Sequence, residues 1–478
     1  MGTSAIFTRS SERRVAPKME PPISLRIVKE KLCLYQKWLA EIRLNEYNGS
    51  QSKWKGGLTV NGYMTVQETA EKWGVTSRQV QILCKDNRIS GATKLSRIWI
   101  IPDTAEKPTI DVIHEVDDAK RKVNLSGAPG RMHEFFAGSG LVAYGLKGLF
   151  SPVWSNDISE RKAAVYNANF LGEHFSLGDI KDVSGGSLPA AHLSWASFPC
   201  QDLSLAGNQK GIFAERSGLV WEWLRVFDEL KEKPRIIALE NVAGLLSSND
   251  GENYRNLHNA LIQRSYKCGA ICLNASVFVP QSRPRVFVIA VKKEIAIPAS
   301  IAGDEPCWLH NSAAIKLGRE LEDWVWWTAK KPPKRSSTIS DILDPNAVYD
   351  KDDVLRLVPD KGMKKLNGND RIVATGYRRT RNGSQQLELR FDGVAGCLRT
   401  PGGGSSKQYV VVRENGQNHA RLLTVREAAR LMGAPDSFML PGTYNDGYYA
   451  MGDAVALPVA KYIGKNILLP LVEAAYHE

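Results

Sequence analysis

The stretch RMHEFFAGSGLVAYGL, residues 131–146, changes its period halfway along. As far as Phe136 it is a short apolar run of strand type. Ala137-Gly138-Ser139-Gly140 then form a turn of small residues, and a helical spacing begins at Leu141. A strand that feeds a helix through glycines leaves backbone amides unpaired at the helix start, where a ligand meets no side chain. Taken alone, such a turn is equally a tight connection, so the segments that follow it carry the decision.

Those segments are PVWSND, HLSWASF, RIIALE, ICLNAS and RVFVIAV, alternating with helical patterns to about Val291. Alternation of this kind argues an α/β fold, a mostly parallel sheet with helices on both faces. The second strand ends in Asn156-Asp157, and an acid at that place in such sheets meets ribose hydroxyls. Asp179, in LGDI, stands at a further strand end with Ile180 after it, placed to accept from an exocyclic amine. Three strand ends in this order point to an adenosine-bearing cofactor. No GKS/T phosphate loop favours ATP, and the turn lacks the full G-x-G-x-x-G spacing of NAD sites, so S-adenosylmethionine is the better candidate.

Two more strand ends carry chemistry. SFPCQ places Cys200 directly after Pro199 at the end of LSWA, beside a Gly- and Ser-rich loop. A buried core thiol is the commoner fate of one cysteine, and reactivity needs exposure and positive surroundings. RIIALENV sets Glu240 and Asn241 at the end of another buried strand, where an unpaired carboxyl is costly. VPQSRPR supplies Gln281, expected at DNA, with Arg283 and Arg285, and alternation aims the two arginines to one face.

In this order FFAGSG, FPCQ, ENV, QSRPR, RLLTVREAARLMGAPDSF and GDAVALPVA resemble the motif set of the DNA cytosine-5 methyltransferases, over residues 131–478. The resemblance implies a Rossmann-like S-adenosylmethionine-dependent methyltransferase domain with an inserted small target-recognition domain and a cytosine flipped from duplex DNA. It makes Cys200 the nucleophile at carbon 6, Glu240 the partner of ring nitrogen 3, and Arg283 with Arg285 the holders of oxygen 2. Covalent addition turns carbon 5 into an enamine carbon able to attack a sulfonium methyl. Cofactor positions carried over are Phe136, Ala137, Gly138, Gly140, Asp157, Ile158, Asp179, Ile180, Pro199, Asp453 and Val455. Ile158 replaces a frequent aromatic residue, Asp453 a usual asparagine near the cofactor methionine, and Cys397 a common threonine.

The N-terminal part has a different character. In MTVQETAEKWGVTSRQVQILCK, Thr65 caps a helix to Trp73, Gly74 turns, and Thr76 caps a second helix carrying Arg78 and Gln79. GATKLSRIWII then reads as a hairpin. This resembles a winged helix-turn-helix module, which reads DNA with the start of its second helix. The domains expected are a basic arm and helix (1–60), the winged module (61–105), a linker (106–130), the first catalytic part (131–295), the target-recognition domain (296–418) and the returning catalytic part (419–478). In the inserted region Arg378, Arg379 and Arg381 adjoin an Asn-Gly pair, and Gly402 and Gly403 let backbone approach DNA. The aromatic run WVWW at 324–327 is expected to pack rather than stack on bases.

Composition agrees. The 478 residues carry a net charge of +12, which attracts a polyanion such as double-stranded DNA. Seven scattered cysteines form no disulfide framework, and Cys268 and Cys272, on one strand face, read as core thiols with no metal site expected. No secretory signal pattern or membrane-spanning run is seen, so a cytoplasmic, bacterial, DNA-associated protein is expected, with a restriction endonuclease as its functional counterpart. Two alternatives stay open: a transcriptional regulator with the methyltransferase body as scaffold, and a tRNA cytosine-5 methyltransferase. A thiol hydrolase is disfavoured, since no histidine is linked to Cys200 by any pattern.

Overall fold

The computed structural model describes residues 62–85, 89–95, 98–107, 122–199, 218–400 and 406–476. The arm and helix expected over 1–60 and the middle of the expected linker lie outside them. The chain divides into two compact units, Met1–His114 and Glu115–Glu478.

In the first unit, β1 (Tyr63–Thr65) leads into the helix Val66–Trp73, and a second helix, Ser77–Lys85, precedes the hairpin of β2 (Thr93–Leu95) and β3 (Ile98–Pro102). The strand order is β1-β3-β2, all antiparallel. Thr65 starts the first helix because its hydroxyl accepts from Glu68 N while Glu68 accepts from Thr65 N at 2.7 Å, a reciprocal cap. Gly74 ends it at φ 62, a left-handed conformation that costs glycine little. Ala70, Trp73, Val80, Cys84 and Ile101 close a small core.

The second unit is built on seven strands: β4 (Gly130–Phe135), β5 (Phe150–Asp157), β6 (Phe175–Leu177), β7 (Leu193–Ala196), β8 (Ile236–Val242), β9 (Tyr266–Asn274) and β10 (Pro284–Lys292). Their order is β6-β5-β4-β7-β8-β10-β9, parallel through β8, with β10 antiparallel to both of its neighbours. Because successive side chains point to opposite faces, Ile236 and Ala238 pack on one side while Ile237 and Leu239 pack on the other. β10 divides in the same way, with Phe287, Ile289 and Val291 opposite Val286, Val288 and Ala290. Both faces are therefore covered, which explains the unbroken apolar runs.

Part of the expected linker belongs to this unit: Val123 bridges to Phe170 in parallel register and Leu125 is buried in the core. The expected insertion also divides. Around β11 (Ala302–Gly303) and β12 (Trp326–Trp327), Asp323 O accepts from Cys268 N and Val325 N donates to Cys268 O, so this segment covers the edge of β9. Within it, Trp327 is buried and donates to Ile289 O at 3.0 Å, and Trp324 stacks on His258, so WVWW is packing. A separate small core lies under the antiparallel sheet β14-β13-β15-β16, formed by β13 (Ile372–Arg381), β14 (Ser384–Arg390), β15 (Gln408–Glu414) and β16 (Gln417–Leu422). Asn382-Gly383 and Asn415-Gly416 both have positive φ, the two-residue turn that matches hairpin twist, so the first is a defined turn rather than a loose segment.

One expectation changes. The run Tyr444–Tyr476 does match a membrane span in length and hydropathy. Its side chains, among them Met451, Val459, Ile463, Leu468 and Leu471, are buried in the same core as the sheet.

Candidate functional site

β4, β5, β6, β7 and β8 end on one edge of the sheet, and β10, running the other way, starts there. A cavity of about 940 Å³ follows this edge. Its wall includes Phe136, Ala137 and Gly138 after β4, Asp157 and Ile158 at the end of β5, Asp179 and Ile180 past β6, Pro199 past β7, Glu240 on β8 and Arg285 on β10, with Asp453 and Val455 closing it from the C-terminal part. Residues spread over some 320 positions of sequence thus meet in one place because parallel strands deliver their ends together.

The Gly-rich turn is sharply bent: Phe136 has φ 56, Gly138 φ 59 and Gly140 φ 80. Left-handed backbone at a non-glycine residue costs of the order of 1–3 kcal/mol and concentrates at ligand sites. Ser139 anchors the turn by donating to Ala450 O at 3.0 Å, and Asp157 accepts from Gly138 N and from Ser159 N, each at 2.9 Å. Gly140 does not reach the cavity. A Cβ there would stand 2.3 Å from Phe170 and 2.8 Å from Tyr166, so its role is close packing.

Further along, Asn156 donates to Ser176 O and Gly178 O, fixing the end of β6 and with it Asp179. Ile158 is 67% exposed although large and apolar, a flat surface offered to the cavity. Lys162, in the first turn of the helix Glu160–Asn169, lies 2.7 Å from Asp453 and 4.0 Å from Asp157. Burial acts to lower its pKa, but the two carboxylates outweigh that and raise it.

At the other end, Arg285 Nε lies 2.9 Å from Glu240 Oε1, off the line of a well-directed hydrogen bond. Burial pushes the Glu240 carboxyl above the ordinary range, Arg285 and Arg283 pull it back, and Asp453 adds to the rise. Asn241, beside it, donates to Phe198 O at 2.9 Å and accepts from Val242 N. That bond ties the backbone two residues before Cys200 to β8. Cys200 itself, with Gly402 and Gly403, lies outside the described residues, as do the side chains of Arg78 and Gln79.

Two expected site residues have other tasks. Arg283 is buried and donates to Leu398 O at 3.0 Å and Gly452 O at 3.1 Å; it clamps two backbone segments, and only Arg285 faces the cavity. Gln281, expected at DNA, is fully buried, donating to Leu431 O and accepting from Leu398 N, so its amide is committed within the fold. The arginines of β13 also separate: Arg379 and Arg381 share one face and Arg378 the other, over Tyr409 near Lys351, Arg356 and Lys407.

Sequence reasoning missed Lys162 and gave Asn241 no task. A lysine in the first helical turn opposes the helix dipole, a signal that a carboxylate must compensate it.

The electrostatics decide which cofactor fits. Among the described residues, the cation beside the Gly-rich turn, Lys162, stands between two carboxylates, which leaves that part of the wall net negative. A pyrophosphate is repelled there, whereas a sulfonium cation is welcome; the exposed Ile158 suits a purine face, and Asp157 and Asp179 offer acceptors to hydroxyl and amine. These residues fit S-adenosylmethionine.

A family model for C-5 cytosine-specific DNA methylases matches residues 130–469. The Type II methyltransferase M.Bsp6I of Bacillus sp. (strain RFL6) is 26% identical over 343 residues, 70% of this chain and 96% of that protein. The Type II methyltransferase M.HhaI of Haemophilus parahaemolyticus is 27% identical over 345 residues, covering 70% and 94%. The similarity to the Type II methyltransferase M.MspI of Moraxella sp is 25% over 467 residues and covers 95% of this chain and 96% of the other.

Proposed function

Because the chain belongs to the C-5 cytosine-specific DNA methylases, and so is a DNA cytosine-5 methyltransferase that uses S-adenosylmethionine, we propose that Cys200, Glu240 and Arg285 carry its reaction and that the cavity wall from Phe136 to Asp179 holds the cofactor. When bound, the cofactor supplies an electrophilic methyl group. The chain's own residues make carbon 5 of cytosine able to take it. Cys200 adds to carbon 6, forming a C–S bond. Glu240, which keeps its proton to higher pH than an ordinary glutamate, hydrogen-bonds and protonates nitrogen 3 as the electrons arrive. Arg285, held against Glu240, takes oxygen 2. Loss of the carbon 5 proton to a base then breaks the C–S bond and releases the Cys200 thiolate, and nitrogen 3 returns its proton to Glu240, which restores the ring. Asn241 holds the strand end from which Cys200 follows.

Around this centre, Phe136, Ala137, Gly138, Pro199 and Val455 shape the cofactor wall, Asp157 faces the ribose, Asp179 and Ile180 with Ile158 the adenine, and Asp453 the methionine end. Arg378, with Lys351, Arg356 and Lys407, meets phosphate of double-stranded DNA, and Arg379 and Arg381 meet it from the opposite face. Gly402 and Gly403, from their sequence alone, are assigned to contact with DNA as well.

The observation that carries this reading is the meeting of Glu240, Arg285 and Pro199 with Asp157 and Asp179 on one cavity wall. The named Type II relatives support a modification enzyme working in a bacterial cytoplasm opposite a restriction endonuclease of the same specificity. Bisulfite sequencing of DNA from cells expressing the protein tests it: cytosine protected at every copy of one short site is expected, and no protected site, or sites unchanged by Cys200→Ala, overturns it.

A second reading, regulation of a promoter, rests on the two helices, Gly74 turn and hairpin of the N-terminal unit, with Arg78 and Gln79, near the start of the second helix in sequence, proposed to contact DNA. Deleting residues 1–120 removes promoter binding or alters the site methylated if this unit reads DNA; neither change would exclude it.

A further inference from the structure

We propose that Lys162 and Asp453 together recognise the zwitterionic amino-acid end of the cofactor, Lys162 its carboxylate and Asp453 its ammonium. The inference rests on the cofactor assignment above. Seen from sequence, Asp453 is an isolated carboxylate that either pairs with the ligand ammonium or repels the ligand carboxylate. In the fold it is not isolated, since Lys162 meets it at 2.7 Å across 291 positions of sequence. Lys162 keeps 13% of its side chain exposed and Asp453 43%, so both remain reachable from the cavity they line.

A zwitterion needs one cation and one anion within a few ångströms of each other. The described cavity wall offers three cations, Lys162, Arg285 and Arg399. Arg285 is paired with the buried Glu240, at the end assigned to the base. Arg399 is exposed. Lys162 alone stands beside both the Gly-rich turn, through Asp157, and a second acid with spare lone pairs. An ammonium has three donors, and Lys162 has one short bond, to Asp453. A ligand carboxylate completes its set, while the ligand ammonium takes up the outer oxygen of Asp453. The four charges then alternate in sign, an arrangement that an uncharged pair of side chains does not offer.

The test is equilibrium binding by calorimetry to the full-length protein. The probes are S-adenosylhomocysteine, which has the amino-acid end, and 5′-methylthioadenosine, which lacks it. Lys162→Met is expected to weaken S-adenosylhomocysteine roughly ten- to hundredfold, the range for charge-assisted hydrogen bonds, and to leave methylthioadenosine within about twofold. Asp453→Asn should act in the same direction. The double variant Lys162→Met/Asp453→Asn removes both members of the 2.7 Å pair and leaves only Asp157, which accepts from two backbone amides, without the cation 4.0 Å away, so it should melt close to the parent and still lose the preference for S-adenosylhomocysteine. Equal weakening of both ligands makes Lys162 merely structural and overturns the proposal. So does unchanged affinity for both, or a selective loss with Arg399→Met in place of Lys162→Met. A parent protein that binds neither ligand contradicts the cofactor assignment instead, so the two failures are distinguishable.

Discussion

Glu240 and Glu134 are both buried carboxyls of the central sheet, and they have opposite prospects. Glu240 has Arg285 beside it and the cavity before it, so Glu240→Gln keeps the shape and removes the proton that nitrogen 3 takes. A fall in kcat of about 10²–10⁴-fold is expected, with S-adenosylhomocysteine affinity changed by less than about twofold, measured by turnover and calorimetry. Glu134, on β4, is wholly buried with Oε1 unpartnered, and burial pushes its pKa up from 4.5 to about 8. The folded chain therefore binds this proton more tightly than the unfolded chain does. The contribution of Glu134 to stability is greatest below the ordinary pKa and falls as pH rises from about 4.5 to about 8, levelling off above. Glu134→Gln removes that slope, so the melting temperature of the variant minus that of the parent should grow between pH 5 and 8; a constant difference contradicts it. At this scale the sequence showed which residue types stood at strand ends, because an acid or arginine next to an apolar run is visible at once. It did not separate Arg283 from Arg285. Both alternate into the same face, and only the return of Leu398 and Gly452, over 100 positions later, covers the first and spares the second.

Among the elements, β8 and the segment after β7 are joined at the site by one side chain. Asn241→Asp retains the acceptor for Val242 N and loses the donor to Phe198 O. A rate of covalent adduct formation lowered at least about tenfold, with cofactor affinity unchanged, is expected, and an unchanged rate would deny Asn241 its positioning task. Further out, Arg421 at the end of β16 meets Glu427 of the returning helix Val425–Leu431 through two bonds of 2.6 and 2.7 Å, both side chains buried. Glu427 also accepts from Asp344 N, so the pair binds three segments. Arg421→Met leaves that carboxylate buried and unpaired and should cost about 3–5 kcal/mol in chemical denaturation. Six of the seven central strands were visible as apolar runs, since burial on both faces removes polar interruptions. The reversed direction of β10 was not, because an antiparallel strand buried on both faces has the same composition as a parallel one.

For the whole molecule, the unit Glu115–Glu478 contains the sheet, the cavity and the inserted small sheet, and the N-terminal unit closes its own core. Deleting residues 1–114 should leave adduct formation on duplex DNA within about threefold of the parent. The order of motifs along the chain announced this architecture, but not the division of the insertion, since the covering of β9 by residues near Trp324 is a contact between distant segments. The most direct measurement of the central claim is intact-mass and peptide analysis of the protein incubated with cofactor and a duplex bearing 5-fluorocytosine in its site. Fluorine cannot leave as the carbon 5 proton does, so a stable protein–DNA adduct mapping to Cys200, absent in Cys200→Ser, is the expected result. Methylation of the ordinary duplex by Cys200→Ser at the parent rate would contradict it.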